Sequence, residues 1–125
     1  MSGITLDAGP LIGLDRNNRK VIALLARAHE TGEDLFIPGS ALAQAVRNPT
    51  RQARLSRLLR QPRTMIVPLD RVAAIAVGTL LAESCTSDIA DAQVAVCARR
   101  THTGIMTSDP DDLRHLAPEI ALTGI

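Results

Sequence analysis

The chain has 125 residues, 46% of them hydrophobic and 22% charged, and a formal net charge of +1. That length suits one domain, residues 1–125, and the aliphatic content excludes disorder; no apolar run approaches the ~20 residues of a membrane span. A single Phe with no Tyr or Trp excludes RNA modules that stack bases on aromatic side chains, and two cysteines exclude a disulfide framework or a zinc site.

Apolar periodicity predicts the elements in turn. Ile4 to Leu6 reads as a short strand, followed by an apolar segment from Ala8 to Leu14. Residues 19–31 carry helical spacing closed by Gly32, and Leu35 to Ile37 forms a second strand stopped by Pro38. Residues 40–47 and 50–60 read as helices broken at Asn48-Pro49. Met65 to Val67 is a third strand, and residues 70–83 and 88–101 are helices. Gly104 to Thr107 is a fourth strand, Pro110 to Leu116 a short helix and Ile120 to Leu122 a last strand. Strands alternating with helices over short loops predict an α/β domain with a mainly parallel central sheet covered on both faces. Cys85 and Cys97 read as small buried side chains. The amino terminus, MSGITLDAGPL, lacks a signal pattern, so a soluble cytoplasmic chain with no membrane partner is expected.

Ligands of open α/β sheets bind beyond the carboxyl ends of the strands, and the acids fall there. Asp7 follows the first strand, Asp109 follows the fourth with Asp111 and Asp112 close behind, and Asp88 and Asp91 open an otherwise apolar helix. Each has a plain structural reading: Asp88 as a charge at the positive end of a helix dipole, Asp109 as a helix cap, Asp111 and Asp112 as solvated groups. Asp7 and Asp91 sit in apolar surroundings, where an unpaired carboxylate is costly, and no basic residue adjoins them. Together the acids call for a hard divalent cation, Mg²⁺ or Mn²⁺, and so for metal-assisted phosphodiester hydrolysis.

The segments ITLDAGPLI, IPGSALAQAVRN, DIADAQVAVCAR and GIMTSDPDDL, in that order along the chain, resemble PIN-domain ribonucleases, above all the VapC-type toxins of type II toxin–antitoxin pairs. The resemblance implies an α/β/α sandwich and a Mg²⁺- or Mn²⁺-dependent endoribonuclease leaving 5′-phosphate and 3′-hydroxyl ends. It further implies a homodimer and a cognate antitoxin that blocks the site. Asp7, Asp91 and Asp109 match the family's metal-binding acids, with Thr107 or Ser108 as a supporting hydroxyl and Asp112 as a further supporting residue. Gln44 stands where the family usually has a Glu, so it would orient water or substrate without adding charge, and Asp88 is the substitute acid. This departure opens a second reading, a PIN-like module that binds RNA or a partner without cleaving.

Arg47, Arg51, Arg54, Arg57, Arg60 and Arg63 occur without an intervening acid and give the 50–60 helix a basic face, suited to RNA phosphates or an acidic antitoxin segment. Arg99, with Arg100 and His102, forms a smaller basic group. An aspartyl-phosphate protein fits poorly: Gly9 occupies the place of a phosphatase's second acid, and the only lysine is Lys20.

Overall fold

The strands are short, apolar and separated by helices, a pattern that yields parallel pairing because each crossover returns the chain to the same sheet edge. A computed structural model describes residues 2–125. β1 (Gly3–Leu6), β2 (Asp34–Pro38), β3 (Thr64–Val67), β4 (Gly104–Thr107) and β5 (Leu122–Gly124) pair in parallel in the order β3-β2-β1-β4-β5. Thr5 lies opposite Phe36 on one side and Ile105 on the other. The helices are α1 (Ala8–Asp15), α2 (Arg19–Glu30), α3 (Gly39–Ala45), α4 (Ala53–Leu59), α5 (Arg71–Ser84), α6 (Ile89–Thr101) and α7 (Pro110–Leu116).

Residues alternate across the sheet and feed two apolar clusters, one on each face, so the expected sandwich forms. Leu6, Leu35, Ile37 and Met106 pack with Leu11 of α1, Val21 and Leu25 of α2 and Leu55 and Leu58 of α4. Ile105 packs on the other face with Val77 and Leu80 of α5, Val94, Ala95, Val96 and Ala98 of α6 and Leu113 and Leu116 of α7. The α6 helix is the centre of this second layer, and even its Gln93 is only 1% exposed. No single helix among the described residues is long and apolar enough to cross a membrane.

Three expectations need correction, and one apolar segment gains an assignment. The Ala8–Leu14 segment is a helix, capped by Asp7, with Pro10 tolerated because it lies in the first turn. The basic stretch is less regular than one helix: Pro49–Arg51 makes a single 3₁₀ turn, and α4 begins only at Ala53. Between them the buried Gln52 side chain accepts from the Arg47 and Asn48 amides and donates to the Ala45 carbonyl, fixing the bend. The last strand lies two residues later than expected, where Leu122 sits opposite Ile105. Cys85 is exposed, in the left-handed conformation that ends α5, whereas Cys97 is buried as expected.

Candidate functional site

The strand order places a topological switch at β1 and β4: the chain winds outward from β1 through β2 and β3, then returns to β4 on the other side. Crevices form at such switches, beyond the carboxyl ends of the strands. Asp7 and the loop carrying Asp109 leave the sheet there, and the amide of Asp7 donates to the Met106 carbonyl at 3.0 Å.

Of the helices that start at this edge, α1, α6 and α7 carry the candidate acids at their first turns, because a carboxylate satisfies free amides and the positive end of the helix dipole. Asp7 caps α1, its Oδ1 accepting from the Ala8 amide at 2.7 Å. Asp88 caps α6 by accepting from the Asp91 amide at 2.9 Å. Asp109 precedes α7 without a side-chain capping bond, and Asp112 lies in the first turn of α7.

Thr107 ties two of these together. Its buried hydroxyl donates to Asp7 Oδ2 at 2.8 Å and accepts from the Asp109 amide at 2.9 Å. That hydroxyl therefore orients the Asp7 carboxylate and fixes the approach of the Asp109 loop. Ser108 has a different part: a Cβ at Gly9 would fall 2.0 Å from Ser108 Oγ, so glycine lets the loop close onto α1.

The electrostatics bring the acids into one field. Burial pushes the Asp7 carboxyl up, opposed by the hydrogen bonds from Thr107 and Ala8 and reinforced by the charges of Asp88 and Asp109. Asp91 is raised to about 7, first by burial and then by repulsion from Asp88, Asp7, Asp112 and Asp109. Asp109 is raised by its hydrogen bond with the Asp112 carboxyl, by desolvation and by the Asp112 and Asp88 charges. Asp7, Asp91 and Asp109 thus repel one another, as the sequence predicts, and no Lys or Arg pairs with any of them among the described residues.

Asp88, Asp91 and Asp112 line a cleft of about 320 Å³ with Thr86, Ser87 and His115. His115 escapes sequence reasoning; its Nε2 lies 3.2 Å from the Ser84 carbonyl oxygen, bridging α7 to the end of α5. The available signal was its position three residues after Asp112, which puts both on one face of a helix. The donors offered here are carboxylate oxygens, the chemistry that Mg²⁺ and Mn²⁺ select. Among the described residues, no group of three or more His, Cys, Asp or Glu side chains is arranged to hold a metal ion.

Gln44 is exposed on α3, with no hydrogen bond among the described residues. Arg54, Arg57 and Arg63 line a separate depression of about 700 Å³ with Glu33, Leu35 and Thr64. Glu33, Leu35 and Thr64 mark the amino ends of β2 and β3, so these arginines stand at the sheet edge opposite the acids. Arg63 is also paired with Asp34 at 3.0 Å. Arg47 turns back onto the Ala43 and Val46 carbonyls, and Arg51 and Arg60 are exposed. Arg99 is engaged within the fold, donating to Glu119 at 2.8 Å and to the Leu116 carbonyl at 3.1 Å.

Residues 4–118 match the PIN domain family. No protein of curated function matches the sequence. Among solved structures, VapBC2 from Rickettsia felis bound to a DNA fragment from their promoter is similar, with a TM-score of 0.72 at 14% identity over 98% of each chain. FitAB bound to the IR36 DNA fragment is similar with a TM-score of 0.66 at 16% identity, over 97% of this chain and 94% of that one. FitAcB from Neisseria gonorrhoeae is similar with a TM-score of 0.65 at 18% identity, over 97% and 96%. At these identities the likeness is one of fold.

Proposed function

The chain belongs to the PIN-domain family, and from that premise we propose that it is a divalent-metal-dependent endoribonuclease, the VapC-type toxin of a cytoplasmic type II toxin–antitoxin pair. The observation that carries this reading is the crowding of Asp7, Asp91 and Asp109 at the switch of the sheet with no basic partner. Such repulsion persists in a folded protein only where something else offsets it, and a cation drawn from solution does so.

Asp7, Asp91 and Asp109 would hold Mg²⁺ or Mn²⁺, with Asp88 and Asp112 as outer acids. Bound there, the ion would neutralise charge on phosphoryl oxygens and acidify a water. Asp7 is held in one orientation by Thr107 and Ala8, so its carboxylate is fixed before substrate arrives. Without a cation Asp91 is raised to about 7, and a bound ion would hold it in its charged form. Arg54, Arg57 and Arg63, at the amino ends of β2 and β3, suit an acidic antitoxin segment.

The test is cleavage of a labelled single-stranded RNA with Mg²⁺ or Mn²⁺. Asp7→Asn and Asp91→Asn are expected to lose cleavage while keeping a native circular-dichroism spectrum. Unchanged cleavage by both variants overturns the reading.

Gln44 favours a second reading, a PIN fold that binds RNA or a partner without cleaving it. An inactive natural protein that gains metal-dependent cleavage on Gln44→Glu would establish that reading.

A further inference from the structure

Two groups beside the acids have their protons committed elsewhere. His115 and Thr86 line the cleft that holds Asp88, Asp91 and Asp112, and both side chains meet the end of α5 at Ser84. The Ser84 carbonyl, 3.2 Å from His115 Nε2, can only accept, so Nε2 carries the ring proton and the neutral imidazole keeps Nδ1 as an acceptor. The Ser84 hydroxyl donates its one proton to the Leu80 carbonyl at 2.8 Å. The Thr86 hydroxyl, 2.8 Å from Ser84 Oγ, therefore donates to that oxygen, and its own lone pairs remain as acceptors.

The cleft thus offers acceptors almost throughout: the carboxylates, the Thr86 oxygen and a ring nitrogen of His115. Among the described residues no arginine or lysine lines it, so the ligand group that matches its side chains directly is a hydrogen-bond donor. Bases carry donors too, but single-stranded bases are held by stacking, and Phe36, the only Phe, Tyr or Trp of the chain, lies on β2 outside the cleft. A volume of about 320 Å³ is at the small end of ligand pockets, ~300–1,000 Å³, and suits one sugar better than a run of nucleotides.

The donor that fits is the ribose 2′-hydroxyl, which DNA lacks. It sits one carbon from the 3′-oxygen that bears the phosphate, so a phosphodiester engaged at Asp91 brings it to the same small cleft. We propose that His115 and Thr86 form an acceptor subsite that receives the proton of the 2′-hydroxyl beside the scissile phosphate, and so select RNA over DNA. The proposal takes its substrate from the nuclease reading.

Labelled single strands of one sequence test it, built uniformly from ribose, 2′-fluororibose or 2′-deoxyribose; fluorine keeps the sugar pucker of RNA but donates no hydrogen bond. With Mn²⁺ the ribose strand is expected to be cleaved with a kcat/KM about tenfold or more above the other two, since a site that hydrogen-bonds a substrate hydroxyl rejects analogues without it. His115→Phe keeps the ring face and removes its nitrogens, and Thr86→Val removes the other acceptor; both positions are exposed. Each variant is expected to narrow the ratio of ribose to fluoro cleavage, and the double variant to remove most of it. Fluorescence anisotropy of the same strands with Ca²⁺ in place of Mn²⁺ reads the preference as binding. Equal treatment of the ribose and fluoro strands, or variants that slow every strand alike and keep the ratio, overturns the proposal and leaves the nuclease reading standing. Ribose-preferring binding by a protein that cleaves nothing upholds the sugar contact and overturns the nuclease reading. Neither cleavage nor a ribose preference overturns both.

Discussion

Replacing Asp91 by Asn removes a carboxylate that burial and four neighbouring acids push from 3.8 to about 7. Above neutrality the folded chain must ionise this group against that environment, whereas the unfolded chain ionises it freely. At about 1.4 kcal/mol per pH unit the full effect would be roughly 4 kcal/mol. Asp91 is only half-buried, and solvent screening reduces the expected gain to about 1–2 kcal/mol at pH 8. For a chain of this size that is roughly 4–8 °C in Tm. The sign follows from proton counting. Between about pH 4 and 7 the folded chain holds a proton that the unfolded chain has released, so the metal-free natural protein loses stability as pH rises through that window. Thermal unfolding in EDTA at pH 8 and pH 5 measures both effects: Asp91→Asn is expected to be the more stable protein at pH 8, with a smaller advantage at pH 5. An Asn variant less stable than the natural protein at pH 8, or an equal difference at both pH values, would refute the electrostatic reasoning.

Thr107→Val removes the donor to Asp7 Oδ2 and the acceptor of the Asp109 amide, and urea denaturation is expected to show a loss of about 1–3 kcal/mol; Thr107→Ser, which keeps the hydroxyl, is expected to lose less. Gly9→Ala drives a Cβ into Ser108 and is expected to cost about 1–3 kcal/mol, part of which Ser108→Gly restores when the two are combined. Gln93→Leu strips the Ser40 amide and hydroxyl and the Val67 carbonyl of their shared partner, and a fall of about 1–3 kcal/mol in the same assay is expected.

The sheet was legible because its strands are bare apolar runs between amphipathic or apolar helices, and parallel strands covered on both faces leave that trace. The Ala8–Asp15 helix was hidden for the opposite reason. AGPLIGL is apolar on every side and holds two glycines and a proline, so no helical period stands out, and only the Asp7 cap marks its start. The shift of the last strand to Leu122–Gly124 is a tertiary effect: Ile120 and Leu122 have similar local preference, and pairing with β4 decides between them.

Asp7, Asp91 and Asp109 were legible from position alone, since the carboxyl ends of strands and the openings of helices are readable landmarks. Distances around the sheet were not. The basic run between Arg47 and Arg63 reads in one dimension as a candidate phosphate contact, yet Arg54, Arg57 and Arg63 reach the amino ends of β2 and β3, away from the acids. Arg99 likewise read as a free cation until Glu119, twenty residues on, was brought beside it. His115 carried too little local pattern to be singled out, and only the folding of α7 against the end of α5 brings it to the cleft.

Calorimetric titration of Mn²⁺ into the natural protein, with Asp7→Asn and Asp91→Asn alongside, bears most directly on whether the crowded carboxylates exist to take a cation. One saturable site in the natural protein, lost or severely weakened in both variants, is the expected result. Heats no larger than those of scattered surface carboxylates, or a site that survives both substitutions, would contradict it.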